Sequence, residues 1–313
     1  MNGTKSLVES SLLTGLAVVL FLAARFLPMV GVVFSLLCPA PLVILGLRHS
    51  SRMAFVSLAV ATAMVAFLAG PPSAISFAVG FGLLGLGLGF LASRLDRGVD
   101  IMLYGVGVSL LSKLFLMVIL TQLTGVNPFD PDIEEIRSVV ERMSEMLGRA
   151  GSGGARQQIE TMLRVIPLMF PAMLVVASAM DCLLTYVVSR QVLQRIGAVR
   201  LPSLPPFEEW RFPKSLFWAF VLSVIMLFFE KSTQQASLFS QIGLNLRLIA
   251  SLLFMIQGLA VLWAFMSSRD IAQGWRLGAA ILVILVPFLS QIAVVLGVVD
   301  IWIDCRSKFQ GRR

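Results

Sequence analysis

Apolar runs of about twenty residues recur from one end of the chain to the other, and no other feature limits its fold so strongly. A bilayer hydrocarbon core about 30 Å thick takes roughly 20 apolar residues per helical crossing. Inside it every backbone N–H and C=O must be satisfied by the protein itself, so only helices and closed barrels cross. Barrel strands would be about ten residues long with alternating polarity. The runs here are longer and unbroken by alternation, so the fold class is all-α: a polytopic transmembrane helix bundle of about 8–10 spans.

Composition agrees. Hydrophobic residues make up 58% and charged residues 13% of the 313, against roughly 45–50% and about 25% in soluble domains. The net charge of +8 and pI near 10.1 do not argue for nucleic acid. Lys and Arg punctuate the apolar runs, as loops facing anionic headgroups require. The partner implied is the lipid bilayer. Cys38, Cys182 and Cys305 have no CxxC spacing, and His49 is the only histidine, so neither a disulfide framework nor a metal site follows. No cofactor is expected. A signal peptide ending near Ala23-Ala24 is the weaker reading of the N-terminus, because the apolar run resumes after Arg25 and Pro28.

The spans expected are about Val8 to Leu27, Met29 to Leu47 with an interruption at Pro39-Ala40-Pro41, Ala54 to Ala69, Ala74 to Leu91, Ile101 to Leu123, Met162 to Ser189, Phe212 to Phe229 and Ile242 to Met266. The last run, Leu277 to Ile303, contains Pro287 and reads as one kinked helix or, preferably, a broken re-entrant hairpin. Residues 1–190 form a six-helix core and residues 191–313 add further helices and a basic tail. With the N-terminus inside, the short cytoplasmic loops collect Arg48 and Arg52, Arg94 and Arg97, Arg190 to Lys214, and Arg269 and Arg276. The expected location is the inner (plasma) membrane of a bacterium. Between Asp130 and Gly148 an amphipathic helix is expected at the outer surface, lying on lipid or covering a site as a lid.

Four patterns bear on function. The Gly80–Gly89 run contains a formal GxGxxG, but without a preceding strand it reads as small-residue helix packing through Gly85 and Gly89. Ser11 and Gly15 repeat that spacing on the first helix, where they either pack internally or dock a partner helix. Pro39-Ala40-Pro41 frees backbone groups that must be buried in protein or line a cavity.

The fourth pattern is charge inside spans, which is costly and therefore informative. Arg25 lies near the outer end of the first helix, while Lys113 and Asp181 fall deep in consecutive spans at depths that allow an ion pair. Asn245, Arg247, Gln257 and Gln291 are further polar groups expected to face the interior. The candidate substrate-binding set is Arg25, Lys113, Asp181, Gln257 and Gln291. Asp300 and Asp304, at i and i+4 beside Arg306, read as an ion-paired anchor rather than a catalytic pair. No Walker A, HExxH or GxSxG motif is present, so an enzyme is not expected.

The order of elements carries a resemblance. The interrupted span at Pro39-Ala40-Pro41, the basic turn Arg48 to Arg52, the Gly-rich fourth helix, the closing Leu296-Gly297-Val298-Val299-Asp300 and Asp304-Cys305-Arg306 are similar to the YybS-like family of multi-spanning bacterial membrane proteins. The first six helices also resemble substrate-binding S-components of energy-coupling-factor transporters. That resemblance implies a small solute bound from outside, a transmembrane coupling subunit with ATPases, and docking through small residues at Ser11 and Gly15. The helices after Arg190 are additional to the S-component fold.

Overall fold

The structure is a computed structural model and describes residues 3–27, 30–49, 51–125, 153–196, 201–230 and 238–306, with Ser138 and Arg142. Among the described residues every regular element is a helix. Seven helical segments are long and apolar enough to cross a membrane: Thr4–Phe26, Gly31–Arg48, Arg52–Ala69, Pro71–Ala92, Gly98–Leu123, Val165–Ile196 and Leu238–Ser268. Most of the expected amphipathic helix falls outside the described residues; Ser138 and Arg142 within it are helical.

The chain forms two compact units, Met1–Pro131 with Met173–Leu204, and Asp132–Ala172 with Pro205–Arg313. The first holds α1 (Gly3–Phe26), α2 (Gly31–Leu37), α3 (Ala40–Arg48), α4 (Ser51–Ala69), α5 (Pro71–Ile75), α6 (Leu83–Ala92) and α7 (Gly98–Thr124). A π-helical turn at Ser76–Gly82 joins α5 to α6. The 44-residue helix α8 (Gly153–Ile196) is divided between the units. It overruns the expected apolar run at both ends because its flanks, rich in Gln, Arg and Glu, are good helix formers.

Pro39 sits where α2 gives way to α3, yet both Cys38 and Pro39 keep right-handed helical backbone. The Pro39 carbonyl accepts from the N–H groups of Leu42 and Val43, so α3 begins with that group satisfied. Residues 38–45 are all buried. Their cover comes from α6: a Cβ at Gly85 would lie 2.9 Å from the Pro39 oxygen, so the two backbones meet only because Gly85 lacks one. The interruption is thus buried in protein. Phe21 packs edge-on against Phe77 and Phe81 at 5.3 and 5.7 Å, joining α1 to the π-helical segment.

The second unit contains α9 (Ser215–Glu230), α10 (Leu238–Ser268), α11 (Gln273–Leu285) and α12 (Pro287–Ile303). Expected as a full span, α9 has 16 residues, about 24 Å at 1.5 Å per residue. Pro213 accepts the N–H of Leu216 and fixes where the helix begins. At Val286-Pro287 the last run bends by 105°. The run is therefore sharply broken at Pro287 into two helices, as a broken span or a re-entrant hairpin would be. Pro287 supplies no N–H, and Val286 is extended, as the residue before a proline tends to be.

Glycine also sets the contact between α10 and α12. A Cβ at Gly258 would overlap the Ala293 carbonyl, and one at Gly297 would overlap that of Phe254. The two helices cross backbone to backbone, the geometry small residues permit in lipid.

Candidate functional site

Lys113 and Asp181 meet. The Lys113 ammonium lies 2.5 Å from Asp181 Oδ2 and donates to the Ser109 hydroxyl at 2.9 Å. Lys113 stands fifteen residues after Gly98, and Asp181 fifteen before Ile196, each about 22 Å from that helix end. Matched depth lets the pair close, and closure removes the cost of two isolated charges in a span. The two side chains are engaged with each other, and Lys113 is held by Ser109 as well.

A second charged cluster closes the end of α12. Asp300 Oδ2 accepts from Gln257 at 3.1 Å and faces Arg306 at 3.2 Å, while Oδ1 accepts the Cys305 N–H at 3.1 Å. Arg306 also donates to the carbonyls of Glu208 and Trp210 at 2.5 and 2.8 Å. Burial pulls the Arg306 guanidinium below its usual value, and the Asp300 carboxylate pulls it back up. Asp304 ends the helix with a left-handed backbone, φ 45°, and takes Arg211 through two hydrogen bonds of 3.1 and 2.8 Å. The two aspartates expected to share one face thus hold different arginines, because the helix stops between them. Gln257 accepts the Phe212 N–H at 3.3 Å. Its carboxamide is occupied at both ends by structural groups.

Gln291 is found elsewhere, in a cleft of about 390 Å³ between α10, α12 and the first half of α8. Arg247, Ser251, Ser290 and Gln291 supply its polar wall, and Leu244, Leu252 and Met255 belong to its apolar one. The spacing 244, 247, 248, 251, 252, 255 is one face of a helix. Asn245 anchors the neighbouring wall. Its carboxamide accepts the Ala172 N–H at 2.7 Å and donates to the Leu168 carbonyl at 2.7 Å, so it sits between the two groups of one helical rung of α8. Pro167 and Pro171 flank that rung.

Arg25 is exposed in the last turn of α1, where it complements the helix dipole, and it lines none of the described cavities. Ser11 is exposed, and a Cβ added at Gly15 meets nothing within 4 Å, so this small pair lies on an open face of α1.

Two contacts had no signal in the sequence. Glu9 pairs with Arg48, and Ser6 shares a 2.9 Å hydrogen bond with His49 Nδ1, tying the start of α1 to the end of α3. The groups lie about forty residues apart, beyond any local spacing rule. Another groove, about 630 Å³, is walled by apolar residues and Ser112. The Ser112 hydroxyl is donated to the Val79 carbonyl within the π-helical turn. Such a groove suits acyl chains and offers no free polar group. Among the described residues no three His, Cys, Asp or Glu side chains gather as a metal site.

Fold and intramembrane charges together define a multi-pass α-helical membrane protein. Residues 15–301 match the family described as Predicted membrane protein (DUF2232), and the chain belongs to that family. It is 25% identical to Uncharacterized protein YybS of Bacillus subtilis (strain 168) over 312 residues, covering 98% of this chain and 99% of that protein. No solved structure matches the chain.

Proposed function

We propose that the protein is a solute-binding subunit of a membrane transport system and that the solute occupies the cleft between α8, α10 and α12. The observation that carries this reading is the cleft's polar lining. Arg247 and Ser251 face it from the membrane-spanning α10 and Gln291 from α12, and among the described residues none of their side chains has a hydrogen-bond or ion-pair partner. Pockets of roughly 300–1,000 Å³ with a few convergent polar groups are characteristic of small-molecule sites. Breaks in membrane helices, such as that at Pro287, also accompany transporter binding sites.

The protein acts as a binder rather than an enzyme, and partner subunits with their own ATPases supply the energy. The open Ser11–Gly15 face of α1 supports docking of a coupling subunit, the arrangement that the S-component resemblance implies. Arg-rich short loops support a bacterial inner membrane location with the N-terminus inside and the solute arriving from outside. A ligand-free scaffold is the second reading, and the closed Lys113–Asp181 pair supports it for the first unit.

Native mass spectrometry of gently purified protein tests the proposal. A retained small solute should be present in the wild type and absent from Leu252→Trp, which fills the cleft. Identical spectra without any bound solute would favour the scaffold.

A further inference from the structure

Arg247 stands nine residues into α10, counted from Leu238, about 14 Å along the helix. The other cations placed in the functional-site description are accounted for. Lys113 holds Asp181, Arg48 holds Glu9, Arg211 holds Asp304 and Arg306 holds Asp300. Arg25 completes a helix end. Arg48 also borders a cavity, but its partner Glu9 lines the same one; Arg247 faces a cleft in which, among the described residues, no acidic side chain is found.

The groups beside it are chosen for hydrogen bonding rather than for charge. Ser251 lies one turn further along the same helix, and Gln291 approaches from α12. The Ser290 hydroxyl is engaged with the Pro287 carbonyl at 2.8 Å. Beyond them the wall becomes apolar at Leu252, Met255 and Val294. The cleft therefore offers one guanidinium, one free hydroxyl and one free carboxamide beside a hydrocarbon surface.

We propose that the cleft binds an anionic oxygen group, a carboxylate or phosphate, through Arg247, with Ser251 and Gln291 completing its hydrogen bonds. This rests on the solute-binding reading above and names the ligand's chemistry. A guanidinium meets either oxyanion through two parallel N–H donors, and such charge-assisted bonds are roughly twice as strong as neutral ones. A low-dielectric wall strengthens them further. Two sources carry the group. An acidic phospholipid would place its headgroup at Arg247 and a chain along Leu252 and Val294. A free anionic solute would occupy the polar end alone.

The test uses full-length protein, delipidated in neutral detergent, as wild type, Arg247→Gln, Arg247→Lys and Gln291→Leu. Native mass spectrometry measures retention of phosphatidylglycerol against phosphatidylcholine, and thermal melting is followed with and without excess inorganic phosphate. If a lipid is the source, the wild type prefers phosphatidylglycerol, Arg247→Gln binds it roughly tenfold more weakly, and Arg247→Lys keeps part of the preference. If a free anion is the source, phosphate alone raises the melting temperature of the wild type but not of Arg247→Gln. In either case Gln291→Leu shows a smaller loss. The inference is overturned if neither anion distinguishes the wild type from Arg247→Gln. Should a retained solute still disappear from Leu252→Trp in that case, only the anionic class fails and the solute-binding reading stands.

Discussion

Lys113 and Arg247 are both cations within membrane-spanning helices, one in each compact unit, and they are satisfied in opposite ways. Lys113 meets Asp181 at equal depth and a serine one turn away. Arg247 opens into a cleft whose other polar groups can donate but carry no negative charge. The contrast separates two uses of a costly residue. A charge that finds its counter-ion in the protein belongs to the scaffold. A charge left facing a cavity calls for a counter-ion from outside. The Asp300–Arg306 cluster in the second unit follows the first pattern, so the difference lies in the local arrangement and not in the unit.

The largest effect is expected where closure is most complete. Arg306 and Asp300 are almost wholly buried, and Arg306→Met leaves an unpaired carboxylate, at a cost of about 3–5 kcal/mol. Size-exclusion chromatography after heating should show most of this variant lost; a stable variant would remove the cluster from the scaffold class. Next comes the Lys113–Asp181 pair. Lys113→Met or Asp181→Asn alone should each cost about 2.5–3.5 kcal/mol, the insertion penalty of one central charge. The double variant should recover much of that in melting temperature. Additive losses would mean the two charges are not coupled.

A smaller loss, about 1–3 kcal/mol, is expected from Gly297→Val, whose branched side chain must push α12 away from Phe254. Because those helices also frame the cleft, the same variant should weaken ligand retention. Arg247→Gln and Gly15→Leu should leave the melting temperature of delipidated protein nearly unchanged, within about 0.5 kcal/mol. A marked loss in Arg247→Gln would show that its guanidinium is already engaged and would erase the contrast with Lys113. A marked loss in Gly15→Leu would show that this face of α1 packs within the protein.

The spans were legible because a run of apolar residues is long, local and repetitive. Gly85 and Gly89 were legible as packing residues because their spacing is itself the signal, and Lys113 with Asp181 because depth can be counted from helix ends. Pairings between distant single residues were not. Gly258 and Gly297 sit on different helices, and neither belongs to a glycine run. Their contact depends on how α10 and α12 cross, which no local pattern states. Arg247 and Gln257 look alike in sequence, as polar residues on one apolar helix. Only the fold reveals that Gln257 is held by Phe212 and Asp300 while Arg247 faces a cleft. The 105° elbow was legible in position, from Pro287, but not in angle.

Asn245 has a consequence in time. It braces a rung of α8 that lies 73 residues earlier in the chain at Ala172. At a synthesis rate of about 5–20 residues per second, that separation is roughly 4–15 s. During this interval the proline-flanked half of α8 has left the ribosome and its brace has not yet been made. The newborn helix must be sheltered until α10 arrives, by the insertion machinery or by the helices already in place. Slowing translation between α8 and α10 with a run of rare codons should therefore increase degradation of the wild type. A chain whose α8 needs no brace, with Pro171→Ala, should tolerate the same delay.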